Sequence, residues 1–498
     1  MSEFLKKTRR YIRSGPAGFI KKSLQKVFKT DEAKYARSVK KKSPDREDLL
    51  RQTKDSEYGP LISVVVPAYR TNPSFFGELI GSVMAQSYEN WELVIADGSA
   101  YAEDDEKYFE LEKIAMEAGD PGRVRYIRLA ENLGISGNTN EAIRKSSGDW
   151  VVFVDHDDTL TPDALYEVWY AASGNLNAGV VYSDEDKIGK GGRYFDPHFK
   201  PELDMELLTN VNYISHLFAI RRDLLEEIGY LNSEFDGAQD YDLVLRACEK
   251  AGAVAHVPKV LYHWRVCEGS TSAGLSEKDY AHDAGRRALL AHTQRMGRRA
   301  GVGAGKLAGS YIVRERIGDW PEVLVVRTRP NTIPVIKREA CKDRVIWFLA
   351  DGAKEDERLK KAMLSRLLLP GTGVVGAVIR SGASVIDGGY AIGCGATFAG
   401  VPAGEPGYMG RLFMSRNVTA ASCACMMMTG ETYLLLGGAD VSAGSDWDRE
   451  LCIRAGMEEK SVIMLPLTVD APAFEGRKDH PDRYAGLREK WTRDGRVH

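Results

Sequence analysis

The chain is poor in cysteine. Seven occur in 498 residues, at Cys248, Cys267, Cys341, Cys394, Cys423, Cys425 and Cys452. The number is odd, no Cys-x-x-Cys pair is present, and Cys423-x-Cys425 has no second pair to complete a zinc site. A disulfide framework is therefore not expected. With no secretory signal in view, the thiols read as reduced, in a cytosolic protein. No stretch reaches the ~18 apolar residues of a membrane span. Net charge is only −3, which excludes a nucleic-acid binder by overall charge. No Gly-x-Gly-x-x-Gly follows the first strand-like segment, which argues against a dinucleotide-binding fold. Composition is otherwise that of a globular protein, 43% hydrophobic and 28% charged, long enough for two or more domains.

Charge is concentrated where the total hides it. Residues 1–42 carry fourteen Lys or Arg against three acids. Ile20, Leu24, Val27 and Phe28 recur at helical spacing within that segment. A basic amphipathic helix of this kind can lie on an anionic membrane surface. A solvated tail, or a helix packed on the body of the protein, is the other reading.

From about Leu61 onward, strand-like and helix-like segments alternate. Leu61–Pro67, Trp91–Ser99 and Val124–Leu129 read as strands; Phe75–Gln86, Tyr108–Ala118 and Ser136–Ser146 read as helices. Thr161-Pro162 reads as an N-cap and first helical residue. This order predicts an α/β fold with a mostly parallel sheet covered by helices on both faces. Ligands of such sheets bind beyond the carboxyl ends of the strands. Pro67, Asp97 and Asp155 all stand at such ends.

The most informative run is Trp150-Val151-Val152-Phe153-Val154-Asp155-His156-Asp157-Asp158. An apolar strand breaks into three carboxylates. Like charges crowded together resist ionisation unless a cation sits among them. Asp-x-Asp at a strand end can aim hard oxygen ligands at one Mg²⁺ or Mn²⁺ that also carries a phosphate. A solvated acidic turn is the alternative.

A degenerate repeat is also visible. Gln239–Arg246 compares with Trp447–Arg454 at an offset of 208, which also pairs Gly229 with Gly437 and Pro258 with Pro466. Val152–Asp157 compares with Trp347–Gly352 at an offset of 195. In the second copy Asp155 becomes Ala350, Asp157 becomes Gly352 and His263 becomes Ala471. A cation site of that kind cannot survive those changes. Too few residues precede Phe348 for the helices and strands found between Leu61 and Asp155. A truncated second unit in a supporting or acceptor-binding role is expected.

Six pieces in order, Ser63–Tyr69, Ala96–Ser99, Asn132–Asn140, Asp155–Asp158, Gln239–Asp242 and Leu261–Arg265, resemble the family 2 inverting glycosyltransferases of the GT-A (nucleotide-diphospho-sugar transferase) fold. Together they span about residues 58–300. The resemblance implies a nucleotide-sugar donor, UDP- or dTDP-linked, and a divalent metal. It implies that Pro67, Tyr69 and Asp97 line the base pocket and that Asn132 closes the nucleoside side. Asp155 contacts ribose or metal, Asp157 and His263 ligate the metal, and Arg265 reaches the diphosphate. Asp240 is the implied catalytic base, with a helix-terminal charge as its alternative role. Two departures stand out: Gln239 where the family often has Glu, and Thr139 where it often has Arg.

The expected organisation is a basic segment and linker (1–57), a catalytic GT-A domain (58–300), a connector (301–345) and a degenerate, non-catalytic GT-A-like unit (346–498). The expected function is metal-dependent inverting transfer of a sugar to a glycan or lipid-linked acceptor in surface polysaccharide synthesis. The expected location is cytoplasmic, with peripheral contact at the inner face of the membrane. A catalytically weak glycan-binding or scaffold protein is the alternative. A sugar-nucleotide pyrophosphorylase ranks lower, because Pro67-Ala68-Tyr69-Arg70 offers only one cation to a triphosphate.

Overall fold

The computed structural model describes residues 35–39, 43–99, 106–118, 122–266, 275–392 and 394–476. Most of the basic segment 1–42 lies outside the described residues, and with it the amphipathic-helix expectation. Among the described residues no helix is long and apolar enough to cross a membrane.

The chain divides into two compact units, and the division interleaves. The first comprises residues 1–200, 216–233 and 250–274; the second comprises 201–215, 234–249 and 275–498. The linear reading placed one boundary near residue 300 instead. Segments 201–215 and 234–249 pack with the later part of the chain, and no local signal in their sequence announces that.

The first unit is built on β1 (Ile62–Ala68), β2 (Trp91–Asp97), β3 (Val124–Arg128), β4 (Trp150–Phe153), β5 (Thr159–Leu160), β6 (Ala178–Ile188), β7 (Tyr194–His198), β8 (Phe218–Arg221) and β9 (Ala253–Arg265). They form one sheet in the order β3-β2-β1-β4-β8-β6-β9-β5, with β7 paired to β6. β3, β2, β1 and β4 are parallel; β8 runs against β4 and β6; β9 is parallel to β6. Every residue of β2 is buried, so both faces of the sheet are covered. The α/β sheet covered by helices is the architecture expected, its parallel core β3-β2-β1-β4 extended by the antiparallel β8.

Helix α1 (Arg46–Asp55) opens on a capping box formed by Asp45 and Asp48. In α2 (Pro73–Met84), Asn72 caps the first turn and Pro73 starts it. Its buried Phe76, Leu79, Ile80 and Val83 follow the i, i+3, i+4, i+7 pattern of one helical face. Each such side chain contributes roughly 1.5–3 kcal/mol of burial. Helices α3 (Glu106–Glu117), α4 (Gly134–Lys145) and α5 (Ala164–Ser173) complete the crossovers. α5 begins two residues later than Thr161-Pro162 suggested: Thr161 Oγ1 donates to Asp163 Oδ1 at 2.7 Å, and Asp163 occupies the cap position. α6 (Arg222–Ile228) follows β8 and ends at Gly229 with φ 80°. α7 (Gln239–Lys250), placed largely in the second unit, precedes β9.

The second unit holds α8 (Leu275–Arg295), the hairpin β10 (Ala300–Ala304) and β11 (Tyr311–Glu315), and then a further sheet. Its strands are β12 (Glu322–Thr328), β13 (Arg344–Ala350), β14 (Thr372–Ser381), β15 (Ser384–Asp387), β18 (Arg416–Asn417), β19 (Cys425–Thr429) and β20 (Ser461–Asp470). A separate ribbon pairs β16 (Tyr390–Ala391) with β17 (Gly395–Ala396). Helix α9 (Glu357–Leu367) lies between β13 and β14, α10 (Gly430–Leu435) follows β19, and α11 (Trp447–Met457) precedes β20.

The sheet order β12-β13-β19-β14-β20 repeats β1-β4-β8-β6-β9 with the same strand senses throughout: parallel, antiparallel, antiparallel, parallel. α6 and α10 follow corresponding strands, and each ends at a glycine of positive φ, Gly229 at 80° and Gly437 at 78°. Between β1 and β4 run two strands and three helices. Between β12 and β13 there are only residues 329–343. The two sheets thus share strand order and senses, and the interval between β12 and β13 is much the shorter.

Candidate functional site

At the carboxyl ends of β1 and β2 the backbone is sewn together by side chains. Pro67 sits within β1, opposite Ala96 of β2, and Tyr69 follows the strand with 40% of its surface exposed. Arg70 lies over the Tyr69 ring, and its N–H donates to Ser99 Oγ at 2.6 Å. Asp97 is buried; its Oδ1 accepts from the Ser99 N–H at 2.8 Å and its Oδ2 from the Tyr126 hydroxyl. A Cβ on Gly98 would stand 2.5 Å from Asn138 Nδ2, so only glycine admits that approach. Asn138 in turn donates to Asn132 Oδ1 at 3.0 Å and accepts the Leu133 N–H at 3.0 Å. Asn132 Oδ1 also accepts the Gly134 N–H. Asn132 and Asn138 thus shape the turn into α4. The structure brings Tyr69, Asp97 and Asn132 to adjoining strand ends and turns.

The acidic run follows β4. Asp158 is fully buried, with Tyr262 Oη donating to Oδ2 at 2.5 Å and the Arg265 N–H to Oδ1 at 2.7 Å. Burial first, then the charges of Asp155 and Asp157, push its carboxyl well above the ordinary range. Asp157 is raised by the same kind of burial and by Asp155, against the opposing charges of His156 and Arg265. Asp155 is half-buried, and its Oδ2 lies 3.8 Å from His216 Nε2. Ligand atoms of Asp155, Asp158 and His216 all lie within 4.8 Å of one another. Crowded carboxylates with raised pKa values beside an imidazole are a donor set that suits a hard or borderline divalent cation. The residues fit the metal.

His216, not His263, is the histidine brought to this group. The reason is strand alternation: successive side chains on β9 point to opposite faces. Tyr262 faces Asp158, so His263 faces away. Its Nδ1 meets Asp186 Oδ1 at 2.5 Å, and its ring stacks on Tyr194 with centroids 4.1 Å apart. Asp186 Oδ2 also accepts from the Tyr35 hydroxyl at 2.7 Å. Asp158, in place of the Asp157 that the resemblance implied, is the second carboxylate of the group. His216 stacks almost flat on Tyr262, at 4.6 Å and 9°. Its main chain is held by Glu185 and Lys200. Isolated in sequence, His216 carries no spacing signal, whereas Asp158 was visible as part of the acidic run.

Arg265 is buried and committed to the loop. Its Nε donates to the Asp157 carbonyl at 2.6 Å, and Nη2 to Glu78 Oε2 at 2.6 Å. The guanidinium also lies over the Phe75 ring. It therefore holds the acidic turn in place. Asp240 stands in the first turn of α7, in the second unit, where its Oδ2 accepts from Asn212 Nδ2 at 2.8 Å. Asn140 makes a two-way bond with the Leu231 backbone, donating at 2.9 Å and accepting at 3.1 Å, so it ties α4 to the segment after α6.

Residues 63–229 match the family model of Glycosyl transferase family 2. This part of the chain belongs to that family. The uncharacterized protein y4gI of Sinorhizobium fredii is 32% identical over 519 aligned positions, covering 89% of this chain and 56% of that protein. The O-antigen biosynthesis protein RfbC of Myxococcus xanthus is 33% identical over 278 residues, 55% of this chain and 21% of its own length. The chain thus spans about half of one relative and a fifth of the other. Among solved structures, S. aureus TarS 1-349 in complex with UDP-GlcNAc aligns with a TM-score of 0.37 and 23% identity, over 46% of this chain and 66% of that one.

Proposed function

We propose that the first unit is the donor-binding centre of a metal-dependent, inverting glycosyltransferase, moving a sugar from a nucleotide diphosphate to a glycan or lipid-linked acceptor. The observation that carries this reading is the grouping of Asp155, Asp158 and His216 within 4.8 Å at the end of β4, inside the segment that matches the family. RfbC is named for O-antigen biosynthesis, which supports surface polysaccharide as the product class.

In this mechanism Tyr69 stacks on the base, and the Asp97 and Asn132 loops close around the nucleoside. Asp155, Asp158 and His216 would hold a divalent ion, Mg²⁺ or Mn²⁺, and its positive charge would offset that of a departing diphosphate. Arg265 keeps the acidic turn from relaxing outward when its charges are uncompensated. Asp240 takes the proton of the acceptor hydroxyl as that oxygen attacks the anomeric carbon. Its assignment rests on its place in the sequence pattern and at the start of α7. The second unit is read as a repeat of the same topology that has lost the acidic turn and serves acceptor binding or support. The basic N-terminal segment is read as a contact for anionic lipid at the cytoplasmic face.

The test is a thermal-shift and turnover screen of UDP- and dTDP-sugars with and without Mn²⁺. Stabilisation by a nucleotide sugar that needs Mn²⁺ and vanishes in Asp155→Asn supports the reading. Undiminished, metal-independent stabilisation in that variant sinks it.

A further inference from the structure

The second unit has a crevice where the first has its acidic turn. β13, β14 and β20 run in one direction, so their carboxyl ends share an edge. A crevice of about 790 Å³ opens there, lined by the turn after β13 (Ala350–Lys354), the start of α9 and the end of β20 (Leu467–Ala473). In the first unit the equivalent strand ends, those of β4 and β9, carry Asp155–Asp158 and Tyr262–Arg265.

The chemistry at this edge is reversed in sign. The first unit gathers carboxylates that need a cation. Here Ala350 and Gly352 stand in place of two of those carboxylates, and three cations line the space: Lys306, Lys354 and Arg358. The acids that remain are already engaged. Asp351 Oδ2 pairs with Arg329 at 2.7 Å. Asp356 Oδ1 caps α9 through the Leu359 N–H at 2.9 Å. Asp470 Oδ1 accepts the Gly382 N–H at 3.1 Å. By contrast, none of the three cations forms an ion pair among the described residues. The Lys306 ammonium instead lies over the Phe413 ring, 4.6 Å from its centre.

Three cations that form no ion pair among the described residues, two of them within the field of Asp356, can attract an anion to this crevice without an intervening metal. The volume exceeds what a phosphate alone fills. The rest of the wall combines small residues such as Gly352 and Ala353 with apolar Leu359, Leu467 and Val469, against which a sugar ring can lie, and the Thr468 hydroxyl and the carboxylate oxygens left over can meet sugar hydroxyls. We infer that the second-unit crevice binds a phosphate-bearing saccharide directly through Lys306, Lys354 and Arg358, with no metal ion. The site is independent of the transferase reading, since none of its residues belongs to the Asp155 group.

The experiment is calorimetric titration of the full chain in EDTA, with glucose 1-phosphate, inorganic phosphate and glucose as probes. Glucose 1-phosphate is expected to bind in EDTA, more tightly than inorganic phosphate, and glucose not to bind. The double variant Lys354→Glu, Arg358→Glu should weaken binding at least ~tenfold, and the milder Lys354→Met, Arg358→Gln should do so while preserving the melting temperature; His216→Ala should leave it unchanged. No heat in EDTA, or unaltered affinity in both double variants, overturns the inference. Equal affinity for inorganic phosphate overturns its saccharide part. Loss of binding in His216→Ala would assign the probe to the first unit and defeat it as well.

Discussion

Lys200 and Glu185 form an ion pair at 3.1 Å in the interior of the first unit, and together they grip the backbone of His216. Glu185 Oε2 accepts the His216 N–H at 3.1 Å, and Lys200 Nζ donates to the His216 carbonyl. Burial alone would raise the Glu185 carboxyl, but the charge of Lys200, helped by His198 and His216, lowers it to about 2. The pair is thus an orienting device for an imidazole that faces Asp155.

Removing one partner strands the other. Lys200→Met should destabilise the first unit by about 3–5 kcal/mol, because a buried carboxylate is left uncompensated. Glu185→Gln in the same background should recover part of that loss. Denaturant melts measure the stability, and Mn²⁺ titration of the surviving fold should show weakened affinity. Unchanged Mn²⁺ affinity in a folded variant would remove the orienting role.

Asp155→Asn should abolish Mn²⁺-supported turnover while leaving the melting temperature within about a degree or two, since its side chain is 42% exposed, and His216→Ala should abolish it too, at an added stability cost from the lost Tyr262 stack. His263→Ala should instead lower stability through lost contact with Asp186 and Tyr194. Parallel metal binding and melting curves separate the two classes.

Gly98→Ala drives a methyl into Asn138, which orders the Asn132 turn. The expected result is a KM for nucleotide sugar raised at least ~tenfold with a smaller change in kcat, because the displaced loop binds nucleoside and not the reacting bond. Steady-state kinetics at fixed Mn²⁺ report the split.

Asp240→Asn should leave donor-induced stabilisation intact and reduce kcat by about 10²–10⁴-fold, the usual range for loss of a general base. A variant that retains kcat would return Asp240 to a purely helix-terminal role.

Asp204 gives a pH signature in the second unit. It is buried, accepts the Leu207 N–H at 3.0 Å and the Asn417 N–H at 2.9 Å, and burial outweighs those bonds to raise it from 3.8 to about 6. A raised folded-state pKa means the native state holds the proton more tightly than the unfolded chain. Its contribution is complete below about pH 4 and is lost as pH rises through about 6. A rise from 3.8 to about 6 corresponds to about 3 kcal/mol. Unfolding free energies of the parent and of Asp204→Asn between pH 4 and 6.5 should differ in slope, with the variant flatter.

Much was legible in the linear chain. Trp150–Phe153 is apolar on both faces and had to be an interior strand; the carboxylates after it had to meet at its end. Asp97-Gly98-Ser99 and Asn132 lay at predictable turns. The offset of 208 sets α6, α7 and β9 against α10, α11 and β20 in the same order. These features are local, or depend on a fixed period, and so can be read without a fold.

Which histidine joins the acidic turn was a different matter. His263 follows Tyr262 in the matched motif, but a strand sends neighbours to opposite faces, and sheet register gave Tyr262 to Asp158 and His263 to Asp186. His216 enters from an irregular segment whose position depends on a buried Glu185–Lys200 pair thirty-one and sixteen residues away in sequence. Residue order and periodicity determined the sheet, the acidic turn and the repeat. Long-range packing decided the ligand set, the commitment of Arg265 to the loop, and the interleaving of segments 201–215 and 234–249, because burial and side-chain direction exist only once distant strands have paired.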